Sequence, residues 1–115
     1  MSGENTTNGA LSAMESILGS NPEVQAVCCH NDDSALGALQ ACVAAGRTDI
    51  MIIGFDGNQS AIDKIVAGEL AGTVAQQPYD MGYQAVKAAY DAALGNSVEA
   101  GISVPAKLIT KENAG

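Results

Sequence analysis

The sequence has no tryptophan, one phenylalanine and three tyrosines, so it has little flat aromatic surface to stack on a ligand ring. Five lysines and arginines stand against thirteen aspartates and glutamates, a net charge of −8. Without a basic stripe there is nothing to neutralise phosphates, which argues against a nucleic-acid partner. The same shortage argues against an anionic membrane surface. No apolar run approaches the ~20 residues of a spanning helix. The opening Met1-Ser2-Gly3-Glu4-Asn5 lacks the basic and apolar regions of a secretory signal. Gly-x-Ser-x-Gly, Walker A and GxGxxG motifs are all missing, and His30 is the one histidine, with no nucleophile paired to it. The expectation is a non-enzymatic chain without a cofactor. Cysteines number three with no CxxC pair, so no disulfide framework is implied. Cys28 and Cys29 sit side by side in a predicted strand, facing opposite ways, and are expected to be buried apolar thiols. Cys28 and His30 share a strand face, but two ligands without a third do not make a metal site.

The chain does have a core to bury. Of 115 residues, 47% are hydrophobic and 16% charged, which fits one globular domain at most. Ile50 to Gly57 reads Ile-Met-Ile-Ile-Gly-Phe-Asp-Gly, a short apolar run fitting a strand covered on both faces. Ahead of it, Thr6 or Thr7 is an N-cap for a helix carrying Leu11, Met14 and Leu18 and stopped by Gly19. Val24 to Cys29 reads as a strand. Asp32, Asp33 or Ser34 then caps a helix with Leu36, Leu39 and Val43 on one face, closed by Gly46. After the central strand, Asn58-Gln59-Ser60 opens a third helix ending at Gly68. Gly72 to Ala75 is a short strand. Pro78 suits the first turn of a fourth helix, whose Met81, Ala85, Val86, Ala89 and Ala93 should face inward. Ile102, Val104, Ala106 and Leu108 alternate with polar residues or proline and read as an edge strand. Helices alternating with strands predict an α/β fold, three-layer αβα with a mainly parallel sheet.

In such sheets ligands bind outside the carboxyl ends of the strands. The first three strands deliver Asn31 (beside Asp32 and Asp33), Asp56 and Gln76 (beside Gln77) to those ends. Asn and Gln both donate and accept, while Asp56 only accepts, a set that matches vicinal hydroxyls. Each has an alternative reading as a cap or turn residue. A phosphoacceptor receiver domain would use Asp32, Asp33 and Asp56 as an acidic pocket, but one βα unit between them is the wrong topology for it.

Three motifs then carry a resemblance: Asn31-Asp32-Asp33-Ser34-Ala35-Leu36-Gly37-Ala38-Leu39, Ile53-Gly54-Phe55-Asp56-Gly57, and Thr73 to Gly82. In order and spacing they closely resemble the second lobe of ribose-type periplasmic sugar-binding proteins, the solute receptors of ABC importers. The resemblance runs from about Asn5 to Thr110. It implies that Asn31, Asp56 and Gln76 hold sugar hydroxyls and that Val104 to Ile109 is the closing segment near a hinge. It also implies a periplasmic location and importer membrane subunits as partners. On this reading residues 1–115 are an incomplete second lobe. The first lobe and two strands of the second are absent, and with them an arginine that the family commonly uses on the sugar. Lac-repressor-type regulators share the fold, but no helix-turn-helix is present. With its neighbour missing, the strand Val24 to Cys29 would expose an edge through which copies self-associate.

Overall fold

The computed structural model describes residues 2–99 and 101–114. The chain forms two compact units, Met1–Ala75 with Leu108–Gly115, and Gln76–Lys107. Four strands, β1 (Ala26–Cys28), β2 (Met51–Asp56), β3 (Gly72–Ala75) and β4 (Lys107–Thr110), form one sheet in the order β1-β2-β3-β4. The β1–β2 and β2–β3 pairs are parallel. With its flanking helices this is the α/β, αβα class that the alternation of elements predicts.

Helix α1 (Thr7–Ser20) starts on Thr6, whose hydroxyl accepts from the Gly9 amide at 3.0 Å. It runs past Gly19 to Ser20, because the Asn21 amide still reaches the Ile17 carbonyl at 2.7 Å. Helix α2 (Asp32–Ala44) is capped by Asn31, not by Asp32, Asp33 or Ser34 as expected. The two aspartates instead occupy its first turn, where their charge suits the helix dipole. Helix α3 (Gln59–Val66) follows β2. Gly46 and Gly68, both with positive φ, stop α2 and α3 as the sequence predicts. Strand β1 is shorter than Val24 to Cys29, because the Val24 carbonyl is taken by the Arg47 guanidinium at 2.8 Å and leaves the ladder.

The core gathers on one face of the sheet. Ile50 and Ile52 pack with Met14 of α1, Ala35, Ala38, Leu39 and Cys42 of α2, and Ala61 and Ile65 of α3. Burial along β2 therefore alternates. Met51 is exposed and Ile53 and Phe55 are half-buried, so the expectation of two covered faces is corrected. Helices α1 and α2 cross with almost no space between them. A Cβ on Gly37 would overlap the Thr7 carbonyl oxygen and lie 2.9 Å from the Leu11 nitrogen.

The second unit holds α4 (Pro78–Ala93), with Pro78 at its start and Gly95, at φ 80°, just past its end. Its expected inward stripe is corrected as well, since no residue of α4 is buried. Within this unit, Met81, Gln84 and Ala85 line a shallow cavity together with Ile102 and Val104 of the following extended segment. That segment is not the strand expected from residue 102 onward. Pro105 lacks an N–H for a ladder and its carbonyl accepts from Gln77 Nε2 at 2.9 Å, so β4 begins at Lys107. A short α5 (Lys111–Ala114), unforeseen in the sequence, follows β4 and is tied to it by Asn113, which accepts from the Thr110 amide at 2.8 Å.

The cysteines correct a further expectation. Cys28 is exposed, Cys29 half-buried and Cys42 buried, because β1 is an end strand of the sheet while Cys42 lies on α2 in the core. Burial, reinforced by the Cys28 and Cys42 sulfurs, pushes the Cys29 thiol up to about 11. Burial also raises Cys42. At pH 8 iodoacetamide is expected to alkylate Cys28 first, with Cys29 and Cys42 reacting only on unfolding. Mass spectrometry showing Cys29 or Cys42 labelled as fast as Cys28 would contradict this packing. A second expectation concerns Gly37→Ala. The overlap costs about 2–3 kcal/mol and better helix propensity returns about 1 kcal/mol. Urea unfolding should show a net loss, and a raised midpoint would refute the close crossing.

Candidate functional site

The carboxyl end of the sheet is built on Asp32. Its side chain is fully buried, and each carboxylate oxygen has partners. Oδ1 accepts from the Thr73 hydroxyl of β3 at 2.7 Å. Oδ2 accepts from the Gly57 and Asn58 amides, at 2.9 and 2.7 Å, in the turn between β2 and α3. The Gly57 amide also reaches Thr73 Oγ1 at 3.3 Å. One carboxylate thus joins the start of α2, the end of β2 and the interior of β3. Burial of a charge is tolerable only with such a full set of donors.

Two glycines make room for this arrangement. A Cβ on Gly54 would run into Asp32 Oδ1. At Gly57, with φ 85°, a Cβ would lie 2.6 Å from the Ala75 Cβ. Sequence reasoning saw Asp32 as a possible cap, as a neighbour of Asn31 at a strand end, or as part of an acidic pocket, and not as a buried junction. The signals for its actual role were Thr73, the lone polar residue of β3, and the break in the apolar run at Gly54.

Asn31 and Asp56 flank this junction, since each immediately precedes one partner of the Asp32–Gly57 hydrogen bond. Asn31 is half-buried, its Oδ1 accepting from the Ser34 amide at 2.8 Å and its Nδ2 donating to the Asn5 carbonyl at 3.2 Å. The cap reading of Asn31 is therefore correct, yet among the described residues the amide keeps one N–H and one lone pair. Asp56, also half-buried, ends β2 with φ 135°, a left-handed conformation that costs a non-glycine residue about 1–3 kcal/mol. Its Cα partner across the ladder is Ala75, the last residue of β3. Gln76 follows Ala75 in the chain, is exposed, and opens the second unit.

A cavity of about 340 Å³ lies elsewhere, between α1 and β1, lined by Met14, Val27, Cys28, Cys29 and His30 among others. It touches neither Asn31 nor Asp56 and is the space beside the end strand. Among the described residues no three His, Cys, Asp or Glu side chains converge as metal ligands.

The one arginine sits at the other end of β2. Arg47 donates to Asp49 through Nε and Nη2, at 2.9 and 3.0 Å, and to the Pro22 and Val24 carbonyls. The Arg47 hydrogen bond holds the Asp49 carboxyl below its usual range. A depressed carboxyl contributes stability above its unfolded pKa, so this clamp weakens only as pH falls below about 4. Arg47 is structural and takes no place beside Asn31 and Asp56.

Known proteins resemble this chain in sequence and in fold. A model of the periplasmic binding protein domain matches residues 1–97. The chain is 47% identical over 102 residues to the ribose import binding protein RbsB of Bacillus subtilis, covering 89% of this chain and 33% of that protein. It is 46% identical over 77 residues to the D-apiose import binding protein of Actinobacillus succinogenes, covering 66% and 25%. Among solved structures, the glucose-galactose binding protein GanP from Geobacillus stearothermophilus superposes with a TM-score of 0.91 at 31% identity, over 96% of this chain and 40% of that one. An ABC transporter solute binding protein from Bacillus halodurans with bound myo-inositol gives 0.85 at 35%, over 95% and 38%. The chain spans about a third of the length of the curated relatives it matches. With the motifs, the sheet and a family match over most of its length in agreement, the chain belongs to the periplasmic binding protein domain family.

Proposed function

We propose that this chain supplies part of one lobe of a monosaccharide receptor serving an ABC importer in the periplasm, and that it binds without catalysing. The observation that carries the reading is the placement of Asn31 and Asp56 on either side of one hydrogen bond at the carboxyl end of a parallel sheet. Sugar hydroxyls donate to a carboxylate and exchange donors and acceptors with an amide. Gln76, the first residue after β3, is the third proposed contact. A first lobe and importer membrane subunits are the proposed protein partners. The relatives named above as import binding proteins for ribose and D-apiose support a small polyol as the ligand class.

Energetics set the expected strength. Four or five hydrogen bonds contribute about 1 kcal/mol each, and somewhat more where Asp56 is charged. Association costs at least ~4 kcal/mol. Residues from this chain alone are therefore expected to bind at about millimolar strength or weaker.

The test is a titration followed by amide chemical shifts, with ribose, allose and myo-inositol. Shifts should concentrate at residues 31, 56 and 76 and disappear in Asp56→Ala. Micromolar binding, or shifts confined to other residues, would overturn the reading. The backbone at Asp56 provides a separate check. Glycine tolerates φ 135°, so Asp56→Gly should be more stable than Asp56→Ala by about 1 kcal/mol, after glycine's entropy cost of ~0.5–1 kcal/mol. The reverse order in urea unfolding would show that this strain is not present.

A further inference from the structure

Asn31 is held at both ends of its side-chain amide, and one of the two holders belongs to a strained turn ahead of α1. Oδ1 accepts from the Ser34 amide at 2.8 Å, and Nδ2 donates to the Asn5 carbonyl at 3.2 Å. A backbone N–H only donates and a carbonyl only accepts, so these two anchors fix which end of the side-chain amide is which. The Asn5 carbonyl reaches Asn31 from a turn over residues 3–6, closed by the Thr6 amide on the Gly3 carbonyl at 3.1 Å. Both central residues of that turn, Glu4 and Asn5, have positive φ, 56° and 58°, the pattern of a type I′ turn. Asparagine enters this region more readily than most residues, whereas a glutamate there is uncommon. The turn is seated on α1 by a glycine, since a Cβ on Gly9 would overlap the Gly3 carbonyl oxygen.

Starting α1 does not require the Asn5 carbonyl. Thr6 makes the first bonds of that helix, its hydroxyl oxygen accepting from the Gly9 amide and its carbonyl from the Ala10 amide, both at 3.0 Å. We infer that Asn5 is a positioning residue. The left-handed turn delivers its carbonyl to Asn31 and so aims the second Nδ2–H and the second Oδ1 lone pair at a ligand hydroxyl, which both donates and accepts. This rests on the proposed role of Asn31 as a sugar contact and adds the residue that orients it. With the Ser34 anchor alone, the amide could swing about one bond. A second anchor, 26 residues away in sequence, removes that freedom before the ligand arrives, so less entropy is lost on binding. The side chain of Asn5 takes no part in this; its backbone conformation does.

A ribose titration followed by the side-chain amide signals of Asn31 tests this role, with circular dichroism as the control for folding. Asn5→Gly keeps the left-handed turn, because glycine populates positive φ freely. Asn5→Val does not, because a β-branched residue is an outlier there. In the unaltered chain and in Asn5→Gly, ribose should shift the Asn31 side-chain amide together with the Asp56 backbone amide. In Asn5→Val the Asn31 shift should be lost while that of Asp56 remains. Affinity should then fall about three- to tenfold, the effect of losing one hydrogen bond. Gly9→Ala, which unseats the turn from a distance, should act as Asn5→Val does, and it replaces that variant should valine prevent folding. Unchanged binding in Asn5→Val and Gly9→Ala, or an equal loss in Asn5→Gly, overturns the inference and leaves the sugar reading intact. A wild-type chain with no ribose shift at either residue overturns the sugar reading and this inference with it.

Discussion

The fold at the carboxyl end of the sheet depends on one buried carboxylate. Asp32 joins the α2 start, the β2–α3 turn and β3, three segments that are far apart in sequence. The cost of removing an ionised group from water is offset by three short donors and by its place in the first turn of α2. Loss of any donor would leave that charge undersatisfied, a penalty larger than the net value of the bond itself. The neighbouring glycines follow from this, since side chains at Gly54 or Gly57 would displace the carboxylate or the adjoining strand.

From this junction the proposed ligand contacts acquire their positions. Asn31 is fixed because it caps the helix that Asp32 begins. Asp56 is held in a strained conformation because Gly57, the next residue, is bonded to Asp32. A strained residue persists where its surroundings over-determine it, and such residues concentrate at binding sites. Arg47 serves a separate purpose at the opposite end of β2, closing the loop before that strand onto the chain before β1. One end of the sheet is therefore clamped for stability while the other presents polar groups.

Much of this was legible in the sequence, and the failures have physical causes. Strand β3 and the starts of α1, α3 and α4 were read correctly; Gly, Pro and Thr act there through local chemistry, whereas Asn58 opens α3 without a side-chain cap bond. Positions that depend on distant partners were not. The shortening of β1 depends on Arg47, over twenty residues away, and the late start of β4 on Gln77. Asp32 and Asp33 look alike as a pair of letters, yet one is fully buried and the other exposed. Only the rotation of the helix against β2 and β3 separates them. The positions of Asn31 and Asp56 at strand ends could be read from the motifs, whereas the backbone strain at Asp56 could not.

Native-state hydrogen exchange tests the role of Asp32 most directly. Gly57 and Asn58 lie in a turn at the surface, where amides ordinarily exchange fast, but here both donate to a buried carboxylate. They should be protected to nearly the level of the β2 amides, and Asp32→Asn should release both while the β1–β2 ladder stays protected. Fast exchange at Gly57 and Asn58 in the unaltered chain, or protection unchanged in Asp32→Asn, would contradict the account.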